Sequence, residues 1–157
     1  MIDLENKIIK NNLELDSQVV TWKSKNRKIV FTNGCFDILH FGHIKLLYES
    51  KKMGDKLIVG LNTDESIRNI KGKNRPINNN NNRSIMLASL SFVDRIIFFS
   101  EPTPIDLIKR ISPNILTKGS DYNMEDVIGY QEVTNLGGVV KIIQCVSGLS
   151  STSLIEN

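Results

Sequence analysis

The sequence predicts an α/β fold, a doubly wound parallel sheet of five strands with helices on both faces. Short apolar runs alternate with segments whose apolar residues recur at helical spacing, as expected of repeated βαβ units. A chain of 157 residues, 40% of them hydrophobic, can bury one substantial core. We therefore expect residues 1–157 to form a single domain, with residues 1–26 as an N-terminal helical extension.

The first half of the chain is predicted to form a helix followed by a βαβ unit. The helix covers about Leu15 to Lys25, and the apolar, β-branched run that follows it makes Lys28–Thr32 a buried strand. Apolar residues then fall at helix-compatible spacing through Gly42–Met53. The chain returns to the sheet in the apolar strand Lys56–Leu61.

The second half continues the alternation. Asp64 is a suitable N-cap for a helix that reaches Ile70, and Pro104 suits the first turn of a helix that ends near Ile111. The remaining elements are one helix and three strands, namely Arg83–Leu90, Arg95–Phe99, Ile115–Thr117 and Val139–Ile143.

The junction between the first strand and its helix carries the strongest functional signal. Gly34 and Gly42 allow close backbone approach and φ > 0, and the helix beginning near Gly42 presents free N–H groups and a positive dipole end. The start of such a helix stabilises an anion without any side chain, and phosphate is the expected ligand. His40 and His43 are three residues apart, so both imidazoles are expected on one side of the first turn.

Two histidines at this point suit a phosphate whose negative charge grows in a reaction. The alternative is that both are ordinary packing or surface residues, but they are the only two histidines of the chain and share one turn. A zinc site lacks ligands, because Cys35 is the only nearby thiol.

Further candidates follow the ends of the other strands. Ligands of doubly wound sheets bind beyond the carboxyl ends of the strands. The polar residues expected at this edge are Asn62 and Asp64 after the second strand, Lys118 and Asp121 after the fourth, and Ser150 to Thr152 after the fifth. Plain alternatives remain open: Ser150–Ser153 can cap a helix, and Asp121 with Tyr122 can form a turn.

The segment between the two central helices breaks the pattern. Asn78–Asn82 is a run of five asparagines, which favours turns and flexibility over a packed element. Lys71 and Arg75 at its edge suit a lid over a bound triphosphate, and the alternative is a solvated basic loop.

Composition limits the classes of function. A net charge of +3 with scattered basic residues argues against nucleic acid as a partner. Cys35 and Cys145 are distant and in no metal or redox spacing, which indicates free thiols in a reducing cytoplasm. The polar N-terminus has no signal-peptide core, and no apolar run reaches membrane-spanning length, so we expect a cytoplasmic protein without membrane contact.

Several motifs resemble those of one enzyme family. Asn33-Gly34-Cys35-Phe36-Asp37 followed by His40-Phe41-Gly42-His43 resembles the signature of the cytidylyltransferase-like nucleotidyltransferases, whose HxGH turn binds the triphosphate of a nucleotide. Val93-Asp94 and Ser150–Ser153 are similar to further family motifs. The segments Lys71–Pro76, Lys118–Tyr122 and Gly137–Val140 resemble the adenylyltransferases of the ADP-heptose pathway.

The resemblance runs from about Lys28 to the C-terminus and implies a Rossmann-like nucleotidyltransferase fold. It implies transfer of AMP from ATP to a heptose 1-phosphate, releasing pyrophosphate, for lipopolysaccharide or surface-glycan precursors. It also implies Mg²⁺, a homo-oligomer and, because the activity is often fused to a kinase that we do not find here, a separate sugar kinase. A glycerol 3-phosphate cytidylyltransferase, a flavin adenylyltransferase and an inactive nucleotide-binding module remain alternatives.

The site residues that we expect from the motifs fall into three groups. The family often has an acidic residue immediately before the arginine that Arg83 matches. Asn82 occupies that position here, so the ion pair that the family makes there is expected to be absent and the loop less ordered. The predicted catalytic residues are His40, His43 and Lys45; the predicted nucleotide-binding residues are Asn33, Gly34, Cys35, Phe36, Gly42, Lys118, Asp121, Ser151 and Thr152; the predicted substrate-binding residues are Asp37, Asn62, Lys71 and Arg75.

Overall fold

The computed structural model describes residues 4–120 and 123–144 as a parallel sheet with helices on both faces. Short 3₁₀ turns occur at Leu4–Lys7 and Met124–Asp126. The strands are β1 Ile8–Ile9, β2 Ile29–Gly34, β3 Lys56–Asn62, β4 Arg95–Phe99, β5 Ile115–Gly119 and β6 Val139–Ile143. The helices are α1 Asn12–Ser24, α2 Phe41–Lys52, α3 Asp64–Lys71, α4 Asn80–Ala88, α5 Ile105–Ile111 and α6 Tyr130–Asn135.

All neighbouring strands pair in parallel, in the order β1-β4-β3-β2-β5-β6. The predicted class is confirmed, but within residues 4–120 and 123–144 the sheet has six strands where the sequence predicts five. The additional strand is β1, in which Ile8 and Ile9 pair with Ile96 and Ile97. A strand of two residues has no periodicity for sequence analysis to detect. The N-terminal segment therefore adds an edge strand to the sheet as well as the helix α1.

Two apolar clusters cover the two faces of the sheet. One contains α1, α5 and α6, with Leu15, Trp22 and Ile108 among its buried side chains. The other contains α2 and α4, with Leu47 and Leu87 buried. Because all the described strands are parallel, each helix that follows a strand begins at the carboxyl edge of the sheet.

Helix α2 is fixed to the sheet by a buried polar contact. The hydroxyls of Ser50 and Thr117 lie 2.7 Å apart, and Ser50 also donates to the carbonyl of Leu46. Thr32 donates to the carbonyl of Thr117 from the neighbouring strand. The contact lies where β2 meets β5, which is the point at which the strand order reverses. Ligands of doubly wound sheets bind beside this point.

The asparagine tract is structured, contrary to the prediction of a flexible loop. Asn79 caps α4, since its side chain accepts a hydrogen bond from the amide of Asn82. The helix begins at Asn80, three residues before the predicted start at Arg83. Asparagine is among the best N-cap residues, so a run of asparagines offers a cap at whichever position the tertiary structure selects.

None of the helices within residues 4–120 and 123–144 combines the length and apolar character needed to cross a bilayer.

Candidate active site

The start of α2 forms the centre of the candidate site. His40 is the N-cap of this helix, and its Nδ1 accepts a hydrogen bond of 3.1 Å from the amide of Gly42. A side chain at position 42 would place its Cβ 3.0 Å from the His40 ring, so close packing explains the glycine. The positive φ expected of the glycines falls instead on Phe36, at 45°. Because Nδ1 of neutral His40 is an acceptor, its proton resides on Nε2, where it can be donated to a ligand.

The two histidines lie together, as the spacing predicts. Their rings stack with centroids 3.8 Å apart, and the Phe36 ring lies 5.1 Å from that of His43. Burial, together with the neighbouring His40, lowers the pKa of His43 to about 4. Burial also lowers the pKa of His40. Both imidazoles are therefore neutral near pH 7, so each ring carries one N–H donor and no charge, and the ring of His43 is hydrogen-bonded to the backbone of Ile38.

Basic side chains converge on the adjacent Cys35. Lys71, Arg75 and Arg83 are close enough to stabilise a thiolate, although burial dominates and raises the pKa of this thiol. Lys118 donates from Nζ to the carbonyl of Asn33 over 3.1 Å, and burial lowers its pKa to about 8. Positive charge thus accumulates beside the start of α2, on the carboxyl side of β2 and β5. This is the electrostatic environment that a polyphosphate requires.

Asp37 holds the basic loop in place instead of facing an open pocket. Its Oδ2 accepts from Nε of Arg75 over 2.7 Å and from the amide of Ile77 over 3.0 Å, and its Oδ1 accepts from the amide of Asn78 over 2.9 Å. Burial opposes ionisation, but these hydrogen bonds together keep the pKa of Asp37 below its ordinary value. The side chain of Asp37 is 0% exposed, so we reinterpret this predicted substrate ligand as an anchor. Arg75 is held by that anchor, which does not fit the predicted swinging lid.

Arg83 is a structural residue that sequence reasoning assigned only to a helix. Its guanidinium is fully buried and donates to the carbonyls of Cys35 and Asn62, each over 2.8 Å. It also pairs with Asp64 at 2.6 Å and donates to Oδ1 of Asn80. The acidic partner is therefore Asp64 at the start of α3 and not the residue before Arg83. The sequence signal for this buried role is the position of Arg83 between the polar asparagine tract and the apolar residues of the helix.

Three buried side-chain atoms lack a hydrogen-bond partner within residues 4–120 and 123–144. They are Oδ1 of Asn33, Nδ1 of His43 and Nη2 of Arg75. Buried polar groups are nearly always hydrogen-bonded, so three such atoms around one turn point to a polar ligand.

The other predicted residues are distributed unevenly. Asn62 is buried at the end of β3, where it donates to Ser66, and its Oδ1 lies 4.0 Å from Sγ of Cys35. Lys45 lies two residues after His43, roughly 200° further around α2. That placement gives no support to a shared phosphate contact, and the role of Lys45 stays a prediction. Asp121, Ser151 and Thr152, with the rest of Ser150–Ser153, lie outside the described residues.

The same described residues contain no cluster of three or more histidines, cysteines or carboxylates able to hold a metal ion. Asp37 and Asp64, two described carboxylates at this edge of the sheet, are each engaged by an arginine. This donor set fits a divalent cation that arrives on the phosphates of a nucleotide, because Mg²⁺ keeps several waters and needs few protein ligands.

Comparison with known proteins identifies longer relatives. The chain is 47% identical over 152 residues to the bifunctional protein HldE of Rhodopseudomonas palustris (strain BisB5) and equally to that of Nitrobacter winogradskyi. Each alignment covers 97% of this chain and 31% of the relative, so the chain spans about a third of the length of these proteins. Because these relatives are bifunctional chains, they do not support the expectation of a separate sugar kinase.

Two solved structures and a family model complete the comparison. The lipopolysaccharide core biosynthesis protein of Thermoplasma volcanium is 37% identical, with a TM-score of 0.63 over 76% of this chain and 97% of that one. Pantoate-beta-alanine ligase of Francisella tularensis shares the fold, with a TM-score of 0.66 at 20% identity over 94% of this chain and 75% of that one. Residues 31–157 match the model described as cytidylyltransferase-like. A match over most of the chain, together with the HxGH turn at the start of α2, shows that the chain belongs to the cytidylyltransferase-like family of nucleotidyltransferases.

Proposed function

We propose that this protein transfers AMP from ATP to a heptose 1-phosphate, giving ADP-heptose and pyrophosphate. The observation that carries the proposal is the pair of stacked, neutral histidines at the capped start of α2, surrounded by basic side chains. The Thermoplasma volcanium relative is a lipopolysaccharide core biosynthesis protein, which supports a surface-glycan precursor as the product.

The chemistry is an in-line displacement that balances without a general base. A phosphate oxygen of the sugar 1-phosphate, already anionic, attacks the α-phosphorus of ATP. The bond between the α-phosphorus and the oxygen bridging it to the β-phosphorus breaks, and pyrophosphate leaves with both electrons. The protein therefore contributes positioning and charge stabilisation.

The neutral histidines suit this task. Nε2–H of His40 can donate to an α-phosphate or bridging oxygen, since Nδ1 is occupied by the Gly42 amide. His43 packs against it and brings a second imidazole to the same side of the turn. The free amides at the start of α2 add the favourable end of the helix dipole. As charge moves onto the leaving oxygens, these donors interact more strongly than they do in the ground state.

The remaining binding roles follow from position. Lys118 and Lys71 supply positive charge to the triphosphate, and Asn33, Gly34, Cys35 and Phe36 line its approach at the end of β2. Mg²⁺ enters as the magnesium complex of the nucleotide and supplies charge neutralisation on the phosphates. Asp121, Ser151 and Thr152 are proposed as further nucleotide contacts, as the family resemblance implies. We also propose a homo-oligomer.

Two other functions predict different outcomes. A glycerol 3-phosphate cytidylyltransferase would use the same turn and leaving group with CTP. A binding module would hold a nucleotide without turnover, but the intact His40, Gly42 and His43 favour catalysis.

The test is pyrophosphate release, with magnesium, for ATP, CTP and GTP against heptose 1-phosphate and glycerol 3-phosphate. We expect turnover with ATP and heptose 1-phosphate, and a loss of about 100-fold or more in kcat for His43→Ala. Lys52→Ala, at the exposed far end of the same helix, is the matched control and should retain full activity. Turnover only with CTP and glycerol 3-phosphate would replace the proposed substrates, and nucleotide binding without pyrophosphate release would support the binding module.

A further inference from the structure

A cleft of about 720 Å³ opens at the carboxyl edge of the sheet, beyond the ends of β3 and β4. It is lined by Thr63, by the segment that leaves β4, and by residues of α1 and α5. The amide of Thr63 donates to the carbonyl of Phe99 over 3.0 Å, so the exits of β3 and β4 are fastened side by side. The volume falls within the range of small-molecule sites, roughly 300–1,000 Å³.

The cleft is connected to the reactive turn through a short path. Thr63 directly follows Asn62, whose side chain lies against Cys35. Within the sheet, two strand spacings, roughly 10 Å, separate the end of β4 from the end of β2. A sugar phosphate whose phosphate lies at the histidines can extend across this distance with the far end of its carbon chain.

The chemistry of the cleft favours hydroxyl groups over phosphates. Asp16 of α1 and Arg110 of α5 both line the cleft and pair with each other at 2.6 Å. Among the described residues, the other charges that line the cleft are the carboxylates of Glu101 and Asp106 and the ammonium of Lys109, which leaves one net negative charge. That balance disfavours a triphosphate and suits a neutral ligand.

Side chains that accept and donate hydrogen bonds stand beside an apolar ring. The carboxylates of Glu101 and Asp106 can accept from hydroxyl groups, and Glu101 also accepts from the amide of Ser100 through Oε2 over 2.9 Å. Thr63, whose hydroxyl caps α3, and Ser100 can donate from their own hydroxyls. The half-buried Phe98 adds an aromatic surface for the C–H face of a sugar. A polyhydroxylated carbon chain uses both kinds of contact.

We infer that this cleft receives the hydroxyl-bearing end of the acceptor sugar phosphate, with Glu101 and Asp106 as specificity-determining residues. The inference rests on the proposed function, because it assigns the part of the acceptor that the histidine turn does not bind. The phosphate of the acceptor stays at the turn, and the cleft selects the sugar by its hydroxyls.

The test compares Michaelis constants for the two substrates in Glu101→Gln and Asp106→Asn. Each substitution keeps the size of the side chain and removes the charge that receives the sugar hydroxyls. We expect the KM for heptose 1-phosphate to rise about 10-fold, with the KM for ATP and the unfolding temperature unchanged. Glu5→Gln, an exposed glutamate before β1, is the matched control and should alter neither constant.

The outcomes separate the two proposals. A rise in the KM for the sugar phosphate alone supports the subsite. An active wild type whose two variants keep the wild-type KM for the sugar phosphate would overturn the subsite and leave the reaction intact, as would an equal rise for ATP. A wild type that releases no pyrophosphate with heptose 1-phosphate would overturn both proposals.

Discussion

Both edges of the sheet carry aspartates that pair with basic side chains, but the pairs at the two edges have different roles. At the amino edge, Asp94 accepts from Nζ of Lys51 and from the amide of Leu57, and it pairs with Lys56 at 3.3 Å. At the carboxyl edge, Asp37 and Asp64 pair with Arg75 and Arg83.

The two sets differ in burial and in the type of cation. The lysines of the amino edge are 27% and 32% exposed, whereas Arg75 is 12% exposed and Arg83 is fully buried. A buried guanidinium makes several bonds of fixed direction, while an exposed ammonium acts as a point charge. The comparison indicates that the carboxyl-edge pairs fix the geometry of the site and that the amino-edge pairs only fasten strands and α2 together.

Removing Arg83 should have the largest effect. Arg83→Gln leaves Asp64 and two strand-end carbonyls without their donor, so we expect about 4 kcal/mol lower free energy of unfolding and a fall in kcat. Denaturant unfolding and pyrophosphate release measure the two effects. Arg68→Gln, an exposed arginine on α3, is the control and should change neither. A variant with wild-type stability would remove the distinction between the edges.

Breaking the Asp37 pair comes next. Asp37→Asn leaves Arg75 charged and largely buried, and we expect a loss of about 3 kcal/mol in unfolding free energy. The combined variant with Arg75→Gln should recover part of this loss, because no buried charge then lacks a partner. Since the pKa of Asp37 is lowered in the folded state, its contribution is complete above the ordinary carboxyl pKa and disappears as the pH falls through the folded value. Strict additivity of the two substitutions would contradict the pair.

The histidine turn should make the carboxyl edge sensitive to mild acid. The pKa of His43 is about 4 in the folded chain, so between pH 6.5 and 4 the unfolded chain binds a proton that the folded chain does not. Stability should therefore fall by about 3 kcal/mol over that interval, and His43→Asn should lose most of this dependence, because the lowered pKa of His40 contributes the remainder. Imidazole NMR signals report the pKa directly, and His40→Gln assigns them in a chain with two histidines. A His43 pKa near 6.5 would be the contrary result.

The smallest effect is expected at the amino edge. Asp94→Asn removes charge from a partly exposed cluster and keeps an oxygen for the Leu57 amide, so about 1 kcal/mol of stability should be lost. The kcat should stay at the wild-type value. Thermal unfolding and pyrophosphate release give the comparison, and a loss of kcat like that of Arg83→Gln would show that both edges support the site.

Much of the architecture could be predicted from local patterns. The strands β2, β3 and β4 and the helix α2 lie within a few residues of their predicted bounds, because long apolar runs and clear caps leave few alternatives. The strand β1 and the helix α6 could not be predicted in this way. Both are short, and β1 exists only because Ile8 and Ile9 meet the edge of β4.

The sequence by itself determined the sheet, the turn at His40 and His43 and the family, since strand periodicity, helix capping and glycine spacing are properties of neighbouring residues. Only the tertiary structure decided which charges meet. It pairs Asp37 with Arg75 and Asp64 with Arg83, orders the asparagine tract and forms the cleft beyond β4. These contacts join residues that are not neighbours in the chain, so their pairing depends on how the strands and helices pack and not on any local sequence pattern.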